Sequence, residues 1–421
     1  MKIDTMRRID RLAGIPLCAV ATALTWLLDR ARRGDAGPPR RILFVELSEM
    51  GTTVLAEPAM RKARETLPAE VYFVIFARNV GSLELLGCFA PERIFTVSDA
   101  SMFALAWDSL RFLWWTRRNR IDTVIDMELF SRFTALLSGL SGARRRVGFY
   151  RFHQEGLYRG EMLTHRVAYN PHLHIAKNLI ALVDALLAPA PTVPYSKTRI
   201  GDDQIKAVIA PPSAQARADV IARVRALSPF DPARHRLVLI NPNASELLPH
   251  RRWMPDRFEE LIRRVLASYD DVFVLITGAP EERAEAERLA AASGPRCVSF
   301  AGHSRLAELP ALYAESVLMV TNDSGPAHFA AATGLPTIVL FGPETPHLYK
   351  PLGNARAIYA GLACSPCVSA HNHRRTACTD NVCMQAIGVD EVFSAVAETL
   401  AGASAGTPGD PRRSLGAVDP S

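Results

Sequence analysis

The 421-residue sequence lacks features that define several protein classes. Its seven cysteines are an odd number in a long chain, which argues against a secreted disulfide framework and favours a reducing compartment. No basic run has the length and aromatic spacing of a nucleic-acid-binding module, so we expect no nucleic-acid partner. The apolar stretch at residues 12–28 is shorter than the about 20 residues that a membrane-spanning helix needs.

The chain does contain enough apolar material for a large core, and a modest excess of positive charge. Hydrophobic residues make up 48% of the sequence and charged residues 22%, which is ordinary for a globular protein. The length predicts two domains at roughly 100–200 residues each. The net charge of +6 and the pI of about 9.0 fit an anionic ligand or an anionic membrane surface.

Arginines flank the N-terminal apolar stretch on both sides: Arg7, Arg8, Arg11, Arg30, Arg32 and Arg33. This pattern favours an uncleaved helix at the inner face of the cytoplasmic membrane, with its arginines at anionic headgroups. A helix that packs on the protein itself is the alternative. At the other end of the chain, residues 402–421 are rich in Gly, Pro, Ser and Ala, and this composition predicts disorder.

Apolar runs typical of buried strands alternate with helical patterns along most of the chain. The predicted strands include "RILFVEL", "EVYFVIF" and "DTVIDM" in the first half, and "RLVLINP", "DVFVLITG" and "VLMVTND" in the second. This alternation predicts an α/β protein with parallel sheets that are covered by helices on both faces. We expect two doubly wound units, with ligands bound in the cleft at the carboxyl ends of their strands.

Prolines between about 188 and 234 interrupt the alternation and place the domain junction there. The predicted segments are an N-terminal apolar helix and linker (1–40), a first Rossmann-like domain (41–190), an inter-domain linker (191–234), a second Rossmann-like domain that includes a cysteine cluster (235–401), and the tail (402–421). Within the first domain, Trp114 and Trp115 are expected to pack against the sheet, and contact with a membrane is the alternative reading.

The stretch "VTNDSGPAHFAAATG" indicates an anion site. A strand ends at Asn322 and Asp323, Ser324 is expected to cap the next helix, and Gly325 allows close approach of a ligand. The N–H groups and positive dipole end of a helix that starts here would face the cleft. "FGPETP" supplies a second loop at the same edge, and together with His328 the pair of loops favours a ligand that carries phosphate.

Two more stretches of the second half carry candidate ligand contacts. "NPNASELLPHRRWMPDRF" includes Asn243 and follows the first strand of that half, and its Arg251 and Arg252 could bind a pyrophosphate. A solvated basic loop is the alternative. In "TGAPEERAE", Glu281 or Glu282 could accept hydrogen bonds from ribose hydroxyls, although an acid that complements the helix dipole is nearly as consistent with the pattern.

These stretches, together with "LFVELSEMGTTVLAEPAM", resemble glycosyltransferase family 9, the lipopolysaccharide heptosyltransferases. The resemblance runs from about 41 to 400 and is most specific in the second half. It implies a GT-B fold with the acceptor site mainly in the first domain and the nucleotide-sugar site mainly in the second. It also implies an inverting enzyme that needs no metal and uses a donor such as ADP-heptose on the cytoplasmic side of the inner membrane.

The resemblance carries roles to individual residues. Asp323, Ser324, Gly325 and His328 would meet the sugar and diphosphate of the donor, and Asn322 is placed in the same donor site. Arg251 takes a position where the family often has a lysine, and Glu282 would contact ribose. The predicted donor set is completed by Asn243 and Arg252, while the predicted acceptor contacts are Gly51, Thr52, Arg151 and His174. A lipid-linked glycan and the inner-membrane surface are the further expected partners.

One stretch departs from the family pattern. The family usually has Gly-Asp where this chain has Gly51 and Thr52, and that Asp is thought to be the general base. A threonine hydroxyl has no useful basicity near neutral pH, and base catalysis is typically worth about 10²–10⁴-fold. We expect Glu49 or Glu46 to take over the role, with Glu49 preferred because it lies nearer the break. Both acids could equally be structural.

Four cysteines form a cluster near the C-terminus: Cys364, Cys367, Cys378 and Cys383. Their spacing resembles a zinc knuckle, and a similar cluster recurs in the family. A structural zinc is therefore a candidate, with His371 and His373 as additional ligands, and a loop of reduced thiols is the alternative. We expect no cofactor to be required for catalysis.

Two other functions are compatible with the sequence. Loss of the family Asp allows a nucleotide-sugar-binding protein that has little or no catalytic activity. A GT-B-like enzyme that isomerises or hydrolyses a nucleotide sugar is the other alternative.

Overall fold

The computed structural model describes residues 9–31, 37–129, 131–153, 157–188, 192–244, 248–370, 372 and 374–404. The predicted disorder of the tail concerns residues that lie mostly outside these ranges, since the last helix ends at Ser404. His371 and His373 also lie outside them.

The first lobe contains a six-stranded parallel sheet in the order β3-β2-β1-β4-β5-β6. Its strands are β1 Arg41–Val45, β2 Glu70–Phe76, β3 Ile94–Val97, β4 Thr123–Asp126, β5 Arg145–Tyr150 and β6 His165–Ala168. The helices of this half are α1 Gly14–Ala31, α2 Met50–Leu55, α3 Glu57–Thr66, α4 Gly81–Leu86, α5 Met102–Arg118, α6 Arg132–Leu140 and α7 Ile175–Leu187. The central strands are buried on both faces, as expected of apolar runs in a parallel sheet.

The second lobe contains another six-stranded parallel sheet, in the order β12-β11-β10-β7-β8-β9. Its strands are β7 Arg236–Asn241, β8 Val272–Ile276, β9 Cys297–Ser299, β10 Leu318–Asn322, β11 Thr337–Phe341 and β12 Ala355–Tyr359. The remaining helices are α8 Ala214–Leu227, α9 Pro255–Ser268, α10 Arg283–Ser293, α11 Leu309–Ala314, α12 Gly325–Ala332, α13 Pro346–Tyr349, α14 Val382–Gln385 and α15 Val389–Ser404.

The two sheets have the same topology. When the second sheet is read from β9 to β12, its order repeats that of the first sheet strand by strand. The strand order therefore reverses between β1 and β4 in one lobe, and between β7 and β10 in the other. Ligands of open α/β sheets bind at this reversal, beyond the carboxyl ends of the strands. The predicted α/β class with two doubly wound units is confirmed.

The segment between the lobes is more structured than its prolines indicate. Helix α8 lies inside the predicted 191–234 linker, and Ser213 caps it by accepting a hydrogen bond from the Ala216 N–H at 3.2 Å. The helix packs on α11 of the second lobe through buried Val220 and Val224. The helical pattern of α8 is hard to recognise in the sequence because few of its positions are apolar and buried.

The lobes touch through short helices at the cleft. Helix α2, which follows β1, packs against α12, which follows β10. At Gly51 the approach is so close that an added Cβ would lie 2.8 Å from Cδ2 of His328. Val54 of α2 and Phe329 of α12 belong to one apolar cluster that extends through both lobes. The glycine at this position is therefore needed for the contact between the lobes.

Helix α1 packs on the first lobe through a narrow face of small residues: Gly14, Cys18, Ala21 and Thr25. Two ion pairs with buried arginines hold it there, Asp10 with Arg132 and Asp29 with Arg146. Contact with the protein itself, which was one of the two expectations for this stretch, thus accounts for one face of the helix. No helix in the described part of the chain is long and apolar enough to cross a membrane.

Candidate active site

The rim of the second sheet is organised by Asn322, which ends β10. Its Nδ2 donates to the carbonyl oxygen of Pro242 at 2.7 Å, and its Oδ1 accepts from the N–H of buried Trp253 at 3.0 Å. Because these bonds join β10 to the loops after β7, Asn322 fixes the shape of the rim. All of its side-chain atoms are used inside the protein, so the structure gives this predicted donor contact a structural role.

Arg251 lies at the centre of the rim and is almost enclosed. Its Nε is 3.3 Å from Oδ2 of Asp323, and its guanidinium also pairs with Glu344. Both carboxyl side chains are buried, with 4% and 2% of their surface exposed. Arg251 and Asp323 therefore converge on one groove, as the phosphate-site interpretation of the sequence requires. Glu344, in the "FGPETP" loop, completes the cluster.

Burial controls the protonation of these acids. It raises the pKa of Asp323 and raises that of Glu344 to about 7, while the Arg251 guanidinium opposes both shifts. The negative charge of Asp323 adds to the rise in the pKa of Glu344. One arginine thus faces two buried carboxyl groups, and ionisation of one makes ionisation of the other less favourable. A diphosphate that entered the groove would find a cation that is already held in place.

Arg374 links this cluster to the first lobe. It pairs with Glu49, and its Nε is 3.1 Å from Oε1 of Glu344. Its guanidinium also lies 5.3 Å from the centre of the Tyr349 ring. The backbone of Arg374 has a φ of 54°, a left-handed conformation that costs free energy for any residue except glycine. Such strain is typical of a functional position.

The turn from β10 to α12 presents the start of a helix to the same groove. Helix α12 begins at Gly325, and Pro326 lies in its first turn, as expected. The expected cap by Ser324 is wrong: the residue occupies the N-cap position, but its hydroxyl lies 3.4 Å from Thr321 Oγ1 and makes no cap bond. In this first turn Pro326 has no N–H and the Ala327 N–H donates to the Ser324 carbonyl oxygen at 3.1 Å, so the feature that suits an anion is the positive end of the helix dipole.

His328 is buried in α12 and packs against Gly51 of the other lobe. Burial, together with nearby His174 and Arg251, lowers its pKa to about 3. The imidazole is therefore neutral at physiological pH and contributes no positive charge to a diphosphate. His328 was predicted to contact the donor, and the structure places it at the contact between the lobes.

A second polar group lies at the carboxyl end of β8. Added to Gly278, a Cβ would lie 2.9 Å from Glu282 Oε2 and 3.0 Å from Asn243 Nδ2, so the two side chains share one corner. Arg252 is close enough to lower the pKa of Glu282, which burial raises. Glu282 Oε2 also accepts from the Ala279 N–H at 2.7 Å, so this acid starts the helix as well.

Two polar atoms of this corner have no partner. Asn243 Nδ2 and Arg252 Nε are buried without a hydrogen-bond partner among the described residues. Buried donors of this kind are rare in folded proteins and indicate a missing acceptor. Arg251 and Arg252, although adjacent in sequence, thus serve two different parts of the groove.

The rim of the first sheet is rich in carboxyl groups. Oε1 of Glu128 accepts from the N–H groups of Leu47 and Ser48, both at 3.0 Å, and from the Ser48 hydroxyl at 2.6 Å. Glu46 is 3% exposed, and burial followed by the charge of Glu128 raises its pKa well above the usual range. A glutamate that is enclosed and protonated in this way is a poor general base.

Glu49 is better placed to act on a substrate. It precedes α2 at the cleft, and its side chain is 29% exposed. Thr52 Oγ1 donates to its Oε2 at 3.1 Å, and Arg374 pairs with its other oxygen. Thr52, at the position where the family resemblance implies an Asp, thus orients the nearby glutamate. This geometry favours Glu49 over Glu46.

The other predicted acceptor residues are in different surroundings. Arg151 is exposed and lines a shallow pocket together with Asp126 and Arg159. His174 uses both ring nitrogens internally: Nε2 donates to the Lys350 carbonyl oxygen at 2.8 Å, and Nδ1 accepts from the Ala176 N–H at 3.2 Å. The structure therefore assigns His174 to a contact between the lobes.

The cysteine cluster surrounds the loop that carries Arg374. The thiols of Cys364, Cys367 and Cys378 lie close enough to Cys383 to raise its pKa, although burial contributes most. Cys378 Sγ lies 3.3 Å from Asp380 Oδ1 and accepts from the Asn381 N–H at 3.3 Å. Within the described residues, no group of three or more His, Cys, Asp or Glu side chains is arranged to hold a metal ion.

Two central residues were not predicted from the sequence. Glu344 lies in the "FGPETP" loop after β11, and an acid close to the carboxyl end of a buried strand was the available signal. Arg374 had no such signal, because it is separated from Glu49 and Glu344 in sequence and comes from an irregular loop.

Solved structures share this architecture, which is the GT-B fold of two Rossmann-like lobes around a cleft. The structure of Escherichia coli ADP-heptose LPS heptosyltransferase II has a TM-score of 0.62 and 19% identity, and the match covers 86% of this chain and 99% of that one. Escherichia coli heptosyltransferase WaaC with ADP has a TM-score of 0.60 and 19% identity, and the match covers 85% and 99%. These likenesses establish the fold.

Sequence comparison defines the family. The family model described as glycosyltransferase family 9 (heptosyltransferase) matches residues 111–377, more than half of the chain. The chain therefore belongs to glycosyltransferase family 9.

Curated relatives match over differing lengths. Lipopolysaccharide heptosyltransferase 2 of Salmonella typhimurium is 35% identical over 118 residues, 27% of this chain and 34% of that protein. The chain thus aligns with about a third of that relative's length. Lipopolysaccharide core heptosyltransferase OpsX of Haemophilus influenzae is 23% identical over 321 residues, 75% of this chain and 83% of that protein.

Proposed function

We propose that this protein is a glycosyltransferase that moves a heptose-like sugar from a nucleotide diphosphate to the lipopolysaccharide core or a related lipid-linked glycan. One observation carries the proposal. Arg251, the N-terminus of α12 and the carboxylate of Glu49 meet at one groove between the lobes. The names of the relatives, which are heptosyltransferases and in one structure bind ADP, support a donor of the ADP-heptose type.

The geometry supports a direct displacement. Glu49 takes the proton of an acceptor hydroxyl, and the oxygen attacks the anomeric carbon from the side opposite the diphosphate, which inverts the configuration at that carbon. The bond to the diphosphate breaks, and the charge that builds on the leaving group is met by Arg251 and the N-terminus of α12. Asn243, Arg252 and Glu282 hold the nucleoside side of the donor.

We further propose that the reaction needs no metal and takes place at the inner face of the cytoplasmic membrane. The arginines at the groove supply the positive charge that a leaving diphosphate requires. A structural zinc at the cysteine cluster remains a prediction, and metal analysis of the purified protein tests it. Loss of any bound metal on chelation should then change thermal stability before it changes donor binding.

A nucleotide-sugar-binding protein without transfer activity is the second candidate, and it rests on Thr52 at the family's Asp position. A screen of nucleotide sugars, with and without a deacylated lipopolysaccharide core as acceptor, separates the candidates. We expect transfer with ADP-heptose and release of ADP that depends on the acceptor. Donor-dependent thermal stabilisation without any product would support the binding protein, and a modified donor in the absence of acceptor would indicate an isomerase or hydrolase.

A further inference from the structure

Helix α5 exposes a stripe of large apolar side chains. Phe103 is 80% exposed, Trp107 56%, Leu110 63% and Trp114 63%. These positions recur at the spacing of one helix face, whereas Phe112 and Trp115 on the opposite face pack with Phe95 in the core. The two adjacent tryptophans thus divide, with Trp115 in the core and Trp114 outside. Both tryptophans were expected to pack against the sheet, and only Trp115 does so.

Helix α1 exposes a second set of large apolar residues opposite its small-residue face. They are Ile15, Leu17, Val20, Leu24, Trp26, Leu27 and Leu28. The ion pairs of Asp10 and Asp29 with buried arginines fix this orientation at both ends of the helix. The chain therefore holds its small residues inward and its large apolar residues outward.

Both helices lie on the same side of the first sheet. Helix α6 contacts each of them: Cys18 and Ala21 of α1 pack with Ala135, while the Arg117 guanidinium of α5 donates to the Leu140 carbonyl oxygen at 3.0 Å. The exposed apolar groups consequently belong to one side of the lobe. Contiguous apolar areas on a soluble surface commonly mark binding to a protein or a membrane.

The charges on these helices favour an anionic surface as the occupant. In α5 the single acid, Asp108, is buried and accepts from Arg111, and in α1 the single acid, Asp29, pairs with Arg146. Arginines lie over the exposed tryptophans, Arg30 over Trp26 at 5.3 Å and Arg118 over Trp114 at 5.3 Å. Tryptophans beside arginines suit the headgroup region of a bilayer.

We propose that the outer faces of α1 and α5 together form a docking surface for an anionic phospholipid bilayer. The inference rests on the proposed function insofar as a lipid-linked acceptor requires the enzyme at a membrane. Helix α6 begins beside Asp126, at the carboxyl end of β4, so this side of the lobe extends to the rim of the cleft. Docking would hold the cleft next to the headgroup region, where the sugars of such an acceptor lie.

Vesicle co-sedimentation of the full chain tests the docking surface. We expect binding to vesicles of phosphatidylethanolamine and phosphatidylglycerol, weaker binding to pure phosphatidylcholine, and weakening by salt because exposed charges are screened. The triple variant Trp107→Glu/Leu110→Glu/Trp114→Glu should bind anionic vesicles about tenfold or more weakly, because it removes apolar area and adds like charge. Val208→Glu/Leu227→Glu, at exposed apolar positions outside the two helices, is the matched control and should bind normally.

The outcomes separate the docking surface from the catalytic proposal. The triple variant should keep its thermal stability and its transfer rate to a deacylated, soluble acceptor. If the triple variant bound anionic vesicles as tightly as the wild type, the inference would be overturned. A second result would also overturn it: the wild type does not bind vesicles and sediments as a dimer, and the triple variant sediments as a monomer. The surface would then join two copies of the chain. Vesicle binding without transfer to any acceptor would leave the surface standing and remove the proposed function.

Discussion

The two sheets of this protein share one topology, yet the rims at their strand reversals differ in chemistry. The first rim gathers carboxyl groups, Glu46, Asp126 and Glu128, behind Glu49. The second gathers asparagines and arginines, including Asn243 and Arg251, around two buried acids. A duplicated architecture thus provides one edge suited to accepting a proton and another suited to holding an anion.

The difference shows where specificity resides in such folds. Backbone geometry places the ends of β1, β4, β7 and β10 at one cleft, and the residues that follow each strand decide what binds there. The two rims are not independent, because Arg374 joins Glu49 of one to Glu344 of the other. Four tests address this division of labour: one acts on the first rim, two act on the second, and one acts on the contact between them.

The first test removes the carboxylate from the first rim. Glu49→Gln should lower the transfer rate by about 10²–10⁴-fold, the usual contribution of a general base, and leave donor affinity nearly unchanged. Steady-state kinetics and donor titration measure the two quantities. Glu46→Gln is the control, because Glu46 is buried with a raised pKa and the amide resembles its protonated form. Equal rates in both variants and wild type would remove the assignment.

The second test removes the cation from the second rim. Arg251→Gln should weaken donor binding by roughly 10–100-fold, since hydrogen bonds to charged groups contribute about 1.5–3 kcal/mol each. Arg251→Lys keeps the positive charge but loses the planar guanidinium, so its donor affinity should lie between those of the wild type and Arg251→Gln. Calorimetric titration with ADP gives the affinities. Arg356→Gln breaks an exposed ion pair with Glu398 and serves as the control. Unchanged affinity in Arg251→Gln would place the diphosphate elsewhere.

The third test acts on the contact between the rims. Gly51→Ala would place a methyl group 2.8 Å from the His328 ring, which is buried and cannot move aside freely. We expect the unfolding free energy to fall by roughly 1–3 kcal/mol, as for other overpacked sites. Denaturant unfolding measures it. Gly388→Ala has open space around its new methyl group and should be nearly neutral. A stable Gly51→Ala would mean that the lobes separate readily.

Much of the fold was predictable from the sequence because its strands are apolar runs that are buried on both faces. "RILFVEL" and "VLMVTND" contain β1 and β10 for this reason. The rim at Asp323 and the helix start at Gly325 were likewise predictable, since a strand, a turn and a helix follow one another locally.

The pairing of side chains across the cleft was not predictable. Arg251 was expected to bind a pyrophosphate or to lie in a solvated basic loop, and its pairing with Asp323 and Glu344 was not expected, because that depends on how three loops meet. The same holds for His174, whose Nε2 reaches the Lys350 carbonyl oxygen only when the lobes come together, whereas its Nδ1 makes a local bond to the Ala176 N–H. The local sequence pattern determines the secondary-structure elements, whereas the charged groups that face a given side chain depend on the tertiary structure.

The fourth and smallest effect is a pH dependence on the second rim. Burial raises the pKa of Glu344 to about 7, from 4.5 for a free glutamic acid, against the opposing charge of Arg251. The folded protein therefore keeps a proton on this group that the unfolded chain has lost, and the associated stability is lost as the pH rises from about 4.5 through 7. Above pH 7 the new negative charge competes with a diphosphate for Arg251.

Donor affinity should accordingly fall by several-fold between pH 6 and pH 8, with a limit of about tenfold per pH unit for one linked proton. Glu344→Gln should flatten that profile, because an amide cannot ionise, whereas Glu398→Gln at the exposed surface should keep it. ADP titrations in two buffers of different ionisation enthalpy would also reveal proton uptake on binding near pH 7 in wild type and none in Glu344→Gln. Since Asp323, Tyr349 and Arg374 also face Glu344, a profile that survives Glu344→Gln would assign the proton to the shared cluster instead of this one carboxyl.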